Sequence, residues 1–216
     1  MIHELGQQNS ILNQFIAELR DVNVQNDFMR FRRNLERCGE IFAYELSKVL
    51  SYQTVQVQTP LGTADVSVPT DNIVLATILR AGLPLHQGML NYFDKAQNAF
   101  ISAYRKYDKD GTFRIQFEYI SCPSIEGKTL VLIDPMLATG ASMLLAYKAL
   151  LEHGKPLHTH IVAVIGSKEG VNYMKRNLSP SEATIWVGAI DDELTVKSYI
   201  VPGLGDAGDL AYGKKD

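Results

Sequence analysis

The chain has 216 residues, 46% of them hydrophobic, with 21 Lys and Arg against 24 Asp and Glu for a net charge of −3. A chain of this length buries roughly 70% or more of its unfolded surface around one core, so a single domain over 1–216 with a small excursion is expected. The mild acidity excludes the basic field of a nucleic-acid binder, and no apolar run approaches the ~18 residues of a membrane span. The opening MIHELGQQNSILNQF lacks the basic-then-apolar order of a secretory leader, and Cys38 and Cys122 show no metal-like spacing. A soluble cytoplasmic protein with reduced thiols is the expectation.

Residues 1–50 predict helices. Phe28, Phe31, Leu35, Cys38, Ile41, Phe42 and Leu46 recur three or four apart, the spacing of one apolar helix face. Arg30, Arg32, Arg33 and Glu36 lie opposite. Thr54–Gln58 and Ala64–Val68 alternate about the turn-forming TPLG at 59–62, which predicts a β-hairpin over 52–70 as the excursion. From Asn72 onward strand, loop and helix repeat. Ile73–Leu79 and Thr129–Ile133 are continuous apolar runs, as strands covered on both faces require. Asn98–Tyr104 and Thr112–Tyr119 alternate less cleanly around the turn-like KDG at 109–111. A helix over Ala141–His153 ends at Gly154, and Thr159–Ile165 is a further strand. A helix near Glu169–Asn177 and a strand at Ala183–Ala189 follow. The alternation predicts an α/β fold with a mainly parallel central sheet flanked by helices, its core over 72–190 and a tail over 191–216. Ligands on such sheets sit beyond the carboxyl ends of the strands, so the loops after Leu79, Ile133 and Ile165 are the expected site.

The segment VLIDPMLATGASMLLAYKALLEHG at 131–154 carries the chemistry. A buried strand ends in Asp134, and Thr139-Gly140-Ala141-Ser142 opens a helix, which aims backbone N–H groups, two hydroxyls and a helix dipole at one point. That is a phosphate site. Gly140 is expected to let the ligand approach the backbone closely. Read locally, Asp134 and Ser142 could instead serve only as helix caps.

The full string DPMLATG at 134–140 resembles the loop that binds phosphoribosyl pyrophosphate (PRPP) in type I phosphoribosyltransferases. There an acid at a strand end precedes A-T-G and a helix. Many members carry two adjacent acids; Asp134-Pro135 is the variant seen in uracil phosphoribosyltransferases. ILRAGLPL at 78–85 is similar to the family's first phosphate loop, and Tyr104-Arg105 stands where the family has an arginine at the root of a mobile flap. The flanking KYDKDGTFRIQF departs from the acid-rich flap of many members. YIVPGLGDAGD at 199–209 resembles nearly the whole uracil-binding signature, so the likeness covers about 72–210. RFRR at 30–33 and AYE at 43–45 are similar to the N-terminal helix, less specifically.

The resemblance implies transfer of a phosphoribosyl group from PRPP to uracil, with Asp134, Arg80 and Arg105 catalytic. It implies that Pro135, Met136, Leu137, Ala138, Thr139, Gly140, Ala141 and Ser142 hold PRPP, together with Asp206 and the two arginines. Ile200, Gly205, Asp206 and Ala207 would bind uracil. Mg²⁺ would be held through the substrate phosphates, with Asp206 as a candidate protein ligand. A homo-oligomer, dimer or tetramer, and GTP as an effector are further implications.

Two other strings are set aside. GLGDAG at 203–208 satisfies the dinucleotide fingerprint, but eight residues remain after Gly208, too few for the βαβ unit it requires. GKT at 127–129 runs into a strand rather than a helix, so it is no nucleotide P-loop. His158 and His160 share a strand face without a third ligand, which favours a packed pair over a metal site, and His86 receives no role. Two alternatives stay open: a phosphoribosyltransferase for another base, and a non-catalytic sensor of PRPP or UMP.

Overall fold

A short strand that the sequence does not announce, β1 (Ile2–Glu4), precedes two helices, α1 (Ile11–Arg20) and α2 (Phe28–Ser47). The computed structural model describes residues 1–107 and 113–214, and side chains outside 103–118. Both helices open on side-chain caps: Ser10 accepts from the Leu12 N–H and Asp27 from the Arg30 N–H. The α2 face buries Phe31, Leu35, Cys38, Phe42 and Leu46, as its periodicity predicts, but Phe28 in the first turn is exposed. Asn34 is buried instead, donating to Glu18 of α1 at 2.7 Å.

The hairpin follows as β2 (Tyr52–Thr59) and β3 (Gly62–Pro69), paired from Tyr52↔Pro69 to Thr59↔Gly62. Then come β4 (Ile73–Leu79), α3 (Gly82–Leu90), β5 (Gln97–Tyr107), β6 (Phe113–Ser121) and β7 (Thr129–Ile133). The KDG turn falls within 108–112 and lies outside the described residues. After β7 run β8 (Met136–Leu137), α4 (Ala141–Leu150), β9 (His158–Ser167), α5 (Lys168–Asn177) and β10 (Ala183–Asp191). The tail holds β11 (Glu193–Leu194), β12 (Ile200–Val201) and α6 (Ala207–Tyr212).

Eight strands form the main sheet in the order β1-β10-β9-β7-β4-β5-β6, with β8 also on β9. Every pairing in it is parallel except β5 with β6. The two uninterrupted apolar runs are explained by the pleat. Successive residues of β4 and β7 enter opposite cores, Leu75 and Val131 under α1, α2 and α3, Ala76 and Leu132 under α4 and α5. A Cβ on Gly88 of α3 would collide with the Glu36 carbonyl of α2, so this glycine sets the close crossing of the two helices. No helix among the described residues is long and apolar enough to cross a membrane.

Candidate active site

β7 delivers Asp134 past the carboxyl edge of the sheet, but the chain does not leave the sheet there. The Asp134 N–H donates to the Val162 carbonyl at 3.1 Å, and the Pro135 carbonyl accepts from the Val164 and Ile165 N–H groups at 3.0 Å each. Met136 and Leu137 then pair with β9 as β8. Pro135 is thus an anchor of the loop root and lines neither cavity described below. Asp134 Oδ1 accepts from the Met136 N–H at 3.3 Å. Burial pushes the Asp134 carboxyl up to about 7, opposed only in part by that bond.

The middle of the loop rests on α5. The Ser167 hydroxyl donates to the Ala138 carbonyl and accepts from the Gly170 N–H at 2.9 Å. Gly140 sits at φ 80°, in the left-handed region. A Cβ there would press to 3.0 Å on both the Gly170 carbonyl and the Tyr173 ring. The glycine is therefore required by backbone conformation and by packing on α5, and it also lines the cavity on that loop. Gly140 is also the N-cap of α4 and brings no capping side chain. Asp134 and Ser142 do not cap the helix either, so its first turn and positive dipole end face the cavity. Thr139 Oγ1 accepts from the Ala141 N–H at 3.3 Å, steadying the turn.

The loop forms one wall of a cavity of about 200 Å³; the tail from Ser198 to Gly208 forms the other. A second cavity of about 200 Å³ reaches to Arg80 and Asp209 and shares Ala81, Asp134, Asp206 and Gly208 with the first. Asp134 and Asp206 therefore stand where the two spaces meet. Arg80 follows a cis Leu79–Arg80 peptide. Its Nη2 donates to the Gly213 carbonyl at 3.2 Å and meets Asp209 Oδ1 at 3.4 Å, while Nε is buried with no partner among the described residues. Asp206 caps α6, accepting from the Asp209 N–H at 3.0 Å.

A strand-tip acid, an open helix end and a glycine-bearing tail thus converge, and a family model described as uracil phosphoribosyltransferase matches residues 6–214. The chain belongs to the uracil phosphoribosyltransferase family. The uracil phosphoribosyltransferase of Porphyromonas gingivalis is 59% identical, covering 100% of this chain and 99% of its own. That of Thermococcus gammatolerans is 35% identical over 96% of this chain and 91% of its own. Among solved structures, the AQ2163 protein from Aquifex aeolicus superposes over 99% of this chain and 98% of its own, with a TM-score of 0.86 at 31% identity.

The structure brings together most of the residues that the resemblance to uracil phosphoribosyltransferases implied. Met136, Leu137, Ala138, Thr139, Gly140 and Ser142 line the first cavity with Asp134, and Ile200, Gly205, Asp206 and Ala207 face them. Ala141, like Pro135, lines neither cavity. Arg80 reaches the second cavity only. Arg105 has its backbone in β5, paired with Ile115, and its side chain lies outside the described residues. Of the three expected loops, the one after β9 acts from behind, through Ser167 and Gly170, rather than as lining. Tyr199, the first residue of the 199–209 string though assigned no role in it, also lines the cavity, and so does Ser198, which was not anticipated; Ser198 holds φ 61°, which no sequence signal announces.

The strings set aside stay aside. Lys128 donates to the Gln97 side chain and the Ser124 carbonyl, both at 2.6 Å, at the amino end of β7. His158 and His160 pack edge to face at 4.9 Å, and the Trp186 indole donates to His160 Nδ1 at 3.1 Å. Among the described residues, no three His, Cys, Asp or Glu side chains gather as a metal cluster.

Proposed function

We propose that the chain transfers the phosphoribosyl group of PRPP to uracil, giving UMP and pyrophosphate, and that residues 1–216 act as one unit. The observation that carries the reading is the facing of two walls across Asp134: an uncapped helix start on one side, a glycine-rich backbone surface on the other. In the reaction the bond from the anomeric carbon to pyrophosphate breaks as uracil N1 bonds to that carbon and gives up its proton to solvent or to the departing pyrophosphate, and positive charge builds on the ring in between.

The α4 amino end and the Thr139 and Ser142 hydroxyls hold the 5′-phosphate. Asp134 takes the ribose hydroxyls and favours the developing positive charge. Its raised pKa is that of a largely desolvated carboxylate without a counter-charge; hydrogen bonds donated by the ribose hydroxyls favour its ionised form, which the substrate phosphates oppose. Arg80, at the mouth of the second cavity, neutralises the departing pyrophosphate with a planar fork. Arg105 is assigned the same task on the resemblance alone.

The residues fit a hard cation. Asp134 and Asp206 offer carboxylate oxygens at the junction of the two cavities, while no protein cage of three or more ligands exists among the described residues. That is the donor set of Mg²⁺ held mainly through substrate phosphates, with Asp206 as the protein ligand. When bound it would neutralise charge on the leaving pyrophosphate. For the base, the backbone at Ile200, Gly205 and Ala207 reads the acceptor-donor-acceptor edge of uracil; cytosine would leave groups unpaired there.

The family resemblance adds a cytoplasmic location, a homo-oligomer and GTP as an effector. Exposed Val57, Leu61 and Val66 on the isolated β2–β3 hairpin support the oligomer, since a lone two-stranded hairpin is marginal in water. Purified protein incubated with PRPP, Mg²⁺ and each base in turn tests the activity. UMP from uracil alone upholds the reading. Turnover of a purine, or binding without turnover, overturns it.

A further inference from the structure

Arg20 ends α1 and Asp191 ends β10, two positions that no motif marks. Their side chains meet as a fork. Arg20 Nη1 donates to Asp191 Oδ2 and Nη2 to Oδ1, both at 2.8 Å. The same pair then grips the tail on both sides of one residue. Arg20 Nη1 also donates to the Gly203 carbonyl at 2.9 Å, and the Gly203 N–H donates to Asp191 Oδ2 at 2.8 Å. Asp191 is 7% exposed and Arg20 23%, so water competes poorly for these charge-assisted bonds.

Gly203 lies between Ile200 and Gly205, both of which line the first cavity. It adopts φ 56°, and a Cβ there would collide with the Ile200 carbonyl, so the turn is tight as well as left-handed. Gln25, just beyond α1, continues the support. Its Nε2 donates to the Arg20 carbonyl at 2.9 Å, and its Oε1 lies 3.9 Å from where a Cβ on Gly205 would stand. Arg20 and Gln25 therefore back the tail without lining either cavity.

We propose that Arg20 and Asp191 are positioning residues for the nucleobase. By holding both backbone groups of Gly203, they fix Ile200, Gly205 and Ala207 at the spacing that a flat pyrimidine edge requires. The inference rests on the uracil reading and deepens it. Specificity read by main-chain groups has a mechanical requirement, because a donor displaced by an ångström no longer makes a good bond. A stretch rich in glycine has too much freedom to meet that requirement alone. The clamp supplies the rigidity without touching substrate. The phosphate loop does not depend on it, being anchored on β9 and α5.

Arg20→Lys keeps the charge but loses the fork, and Asp191→Asn keeps the shape but loses the charge. Each should raise KM for uracil about tenfold, hold KM for PRPP within about twofold and lower kcat by less than about threefold. The double variant should lose little more than the worse single one, since the two act as a unit. Amide hydrogen exchange across 200–206 should quicken in the same variants and not across 134–142. A purely structural pair would lower the melting temperature and the active fraction with KM for uracil unchanged; that result overturns the proposal, as does a parallel rise in both KM values. If wild-type protein yields no UMP from uracil, the substrate reading fails by itself. The exchange measurement then still decides on the clamp, which falls if the tail stays as protected as in wild type.

Discussion

The two walls of the cavity are held in different ways. The loop wall is carried by the regular elements that follow it: its root pairs with β9, its middle leans on Ser167 at the start of α5, and its end is the start of α4. The tail wall has a short ladder of its own, β11 with β12, and is otherwise strutted by charged side chains from several other elements. Arg20 and Asp191 grip Gly203, Arg32 donates to the Ala211 carbonyl at 2.7 Å, and Arg80 reaches the Gly213 carbonyl. A wall that must bind phosphate can be assembled from one strand-loop-helix passage, because an open helix end is already an anion site. A wall that must read a base by its backbone needs outside struts.

The largest effect is expected at Asp134, which stands on the loop wall where the two cavities meet. Asp134→Asn should lower kcat/KM by about 100-fold or more, in the range expected when one preorganised electrostatic group is lost. Folding should not suffer. Because burial raises this carboxyl from 3.8 to about 7, the folded state retains a proton over that interval which the unfolded chain has lost. Wild-type stability is therefore drained as pH climbs through the interval and is flat above it. The asparagine variant escapes that loss, so its melting temperature should exceed that of wild type by a margin that widens from pH 5 to pH 7. Thermal melts across this range check the sign; a margin that shrinks would show that Asp134 is not held in its protonated form.

Ala207→Val should come next, and on one wall only. Ala207 is 4% exposed and lines the first cavity, so two added methyl groups must enter the base pocket or shift α6. KM for uracil should rise about tenfold while KM for PRPP stays within about twofold, the cost of a modest steric intrusion. Ser167→Ala is the matching change behind the other wall. It leaves the Ala138 carbonyl and the Gly170 N–H without their shared partner, at a cost of about 1–3 kcal/mol in a buried site. PRPP affinity should fall about fivefold with uracil little affected. Steady-state kinetics with each substrate varied separate the two, and equal losses for both ligands would erase the division into walls.

The same contrast explains what the sequence disclosed. Ile73–Leu79 and Thr129–Ile133 were legible to the residue because burial on both faces demands an unbroken apolar run. The α4 start and its Gly154 stop were legible because a glycine marks each end, Gly140 at φ 80° and Gly154 at φ 125°, although the last turn proved to be a 3-10 turn over Leu151–His153. β1 was not legible: three residues, Ile2–Glu4, are too few for a period, and only the register with β10 makes them a strand. Gly140 was legible as a position that needs glycine, but its φ of 80° and its need for room beside Gly170 appear only once α5 is packed against it. Arg20 and Asp191 were invisible for the plainest reason. Each looks like an ordinary charged residue at an element end, and only the folded chain brings them together.

The mildest change tests the struts at their outer end. Arg32 donates Nη1 to the Ala211 carbonyl at the last turn of α6, and its guanidinium lies 5.8 Å from the Tyr212 ring. Carbonyls at the end of a six-residue helix have few partners within it, so a cation there is well placed. Yet the contact is half in solvent and α6 keeps its Asp206 cap and the Arg80 bond at Gly213. Arg32→Ala should therefore raise KM for uracil only about two- to threefold and lower stability by about 1 kcal/mol, the value of one charged hydrogen bond near the surface. If its effect on uracil matched that of Arg20→Lys, the tail would be positioned by α6 as a whole, and the Gly203 clamp would lose its special standing. A small effect beside a large one at Arg20 places the control of base recognition at the turn itself.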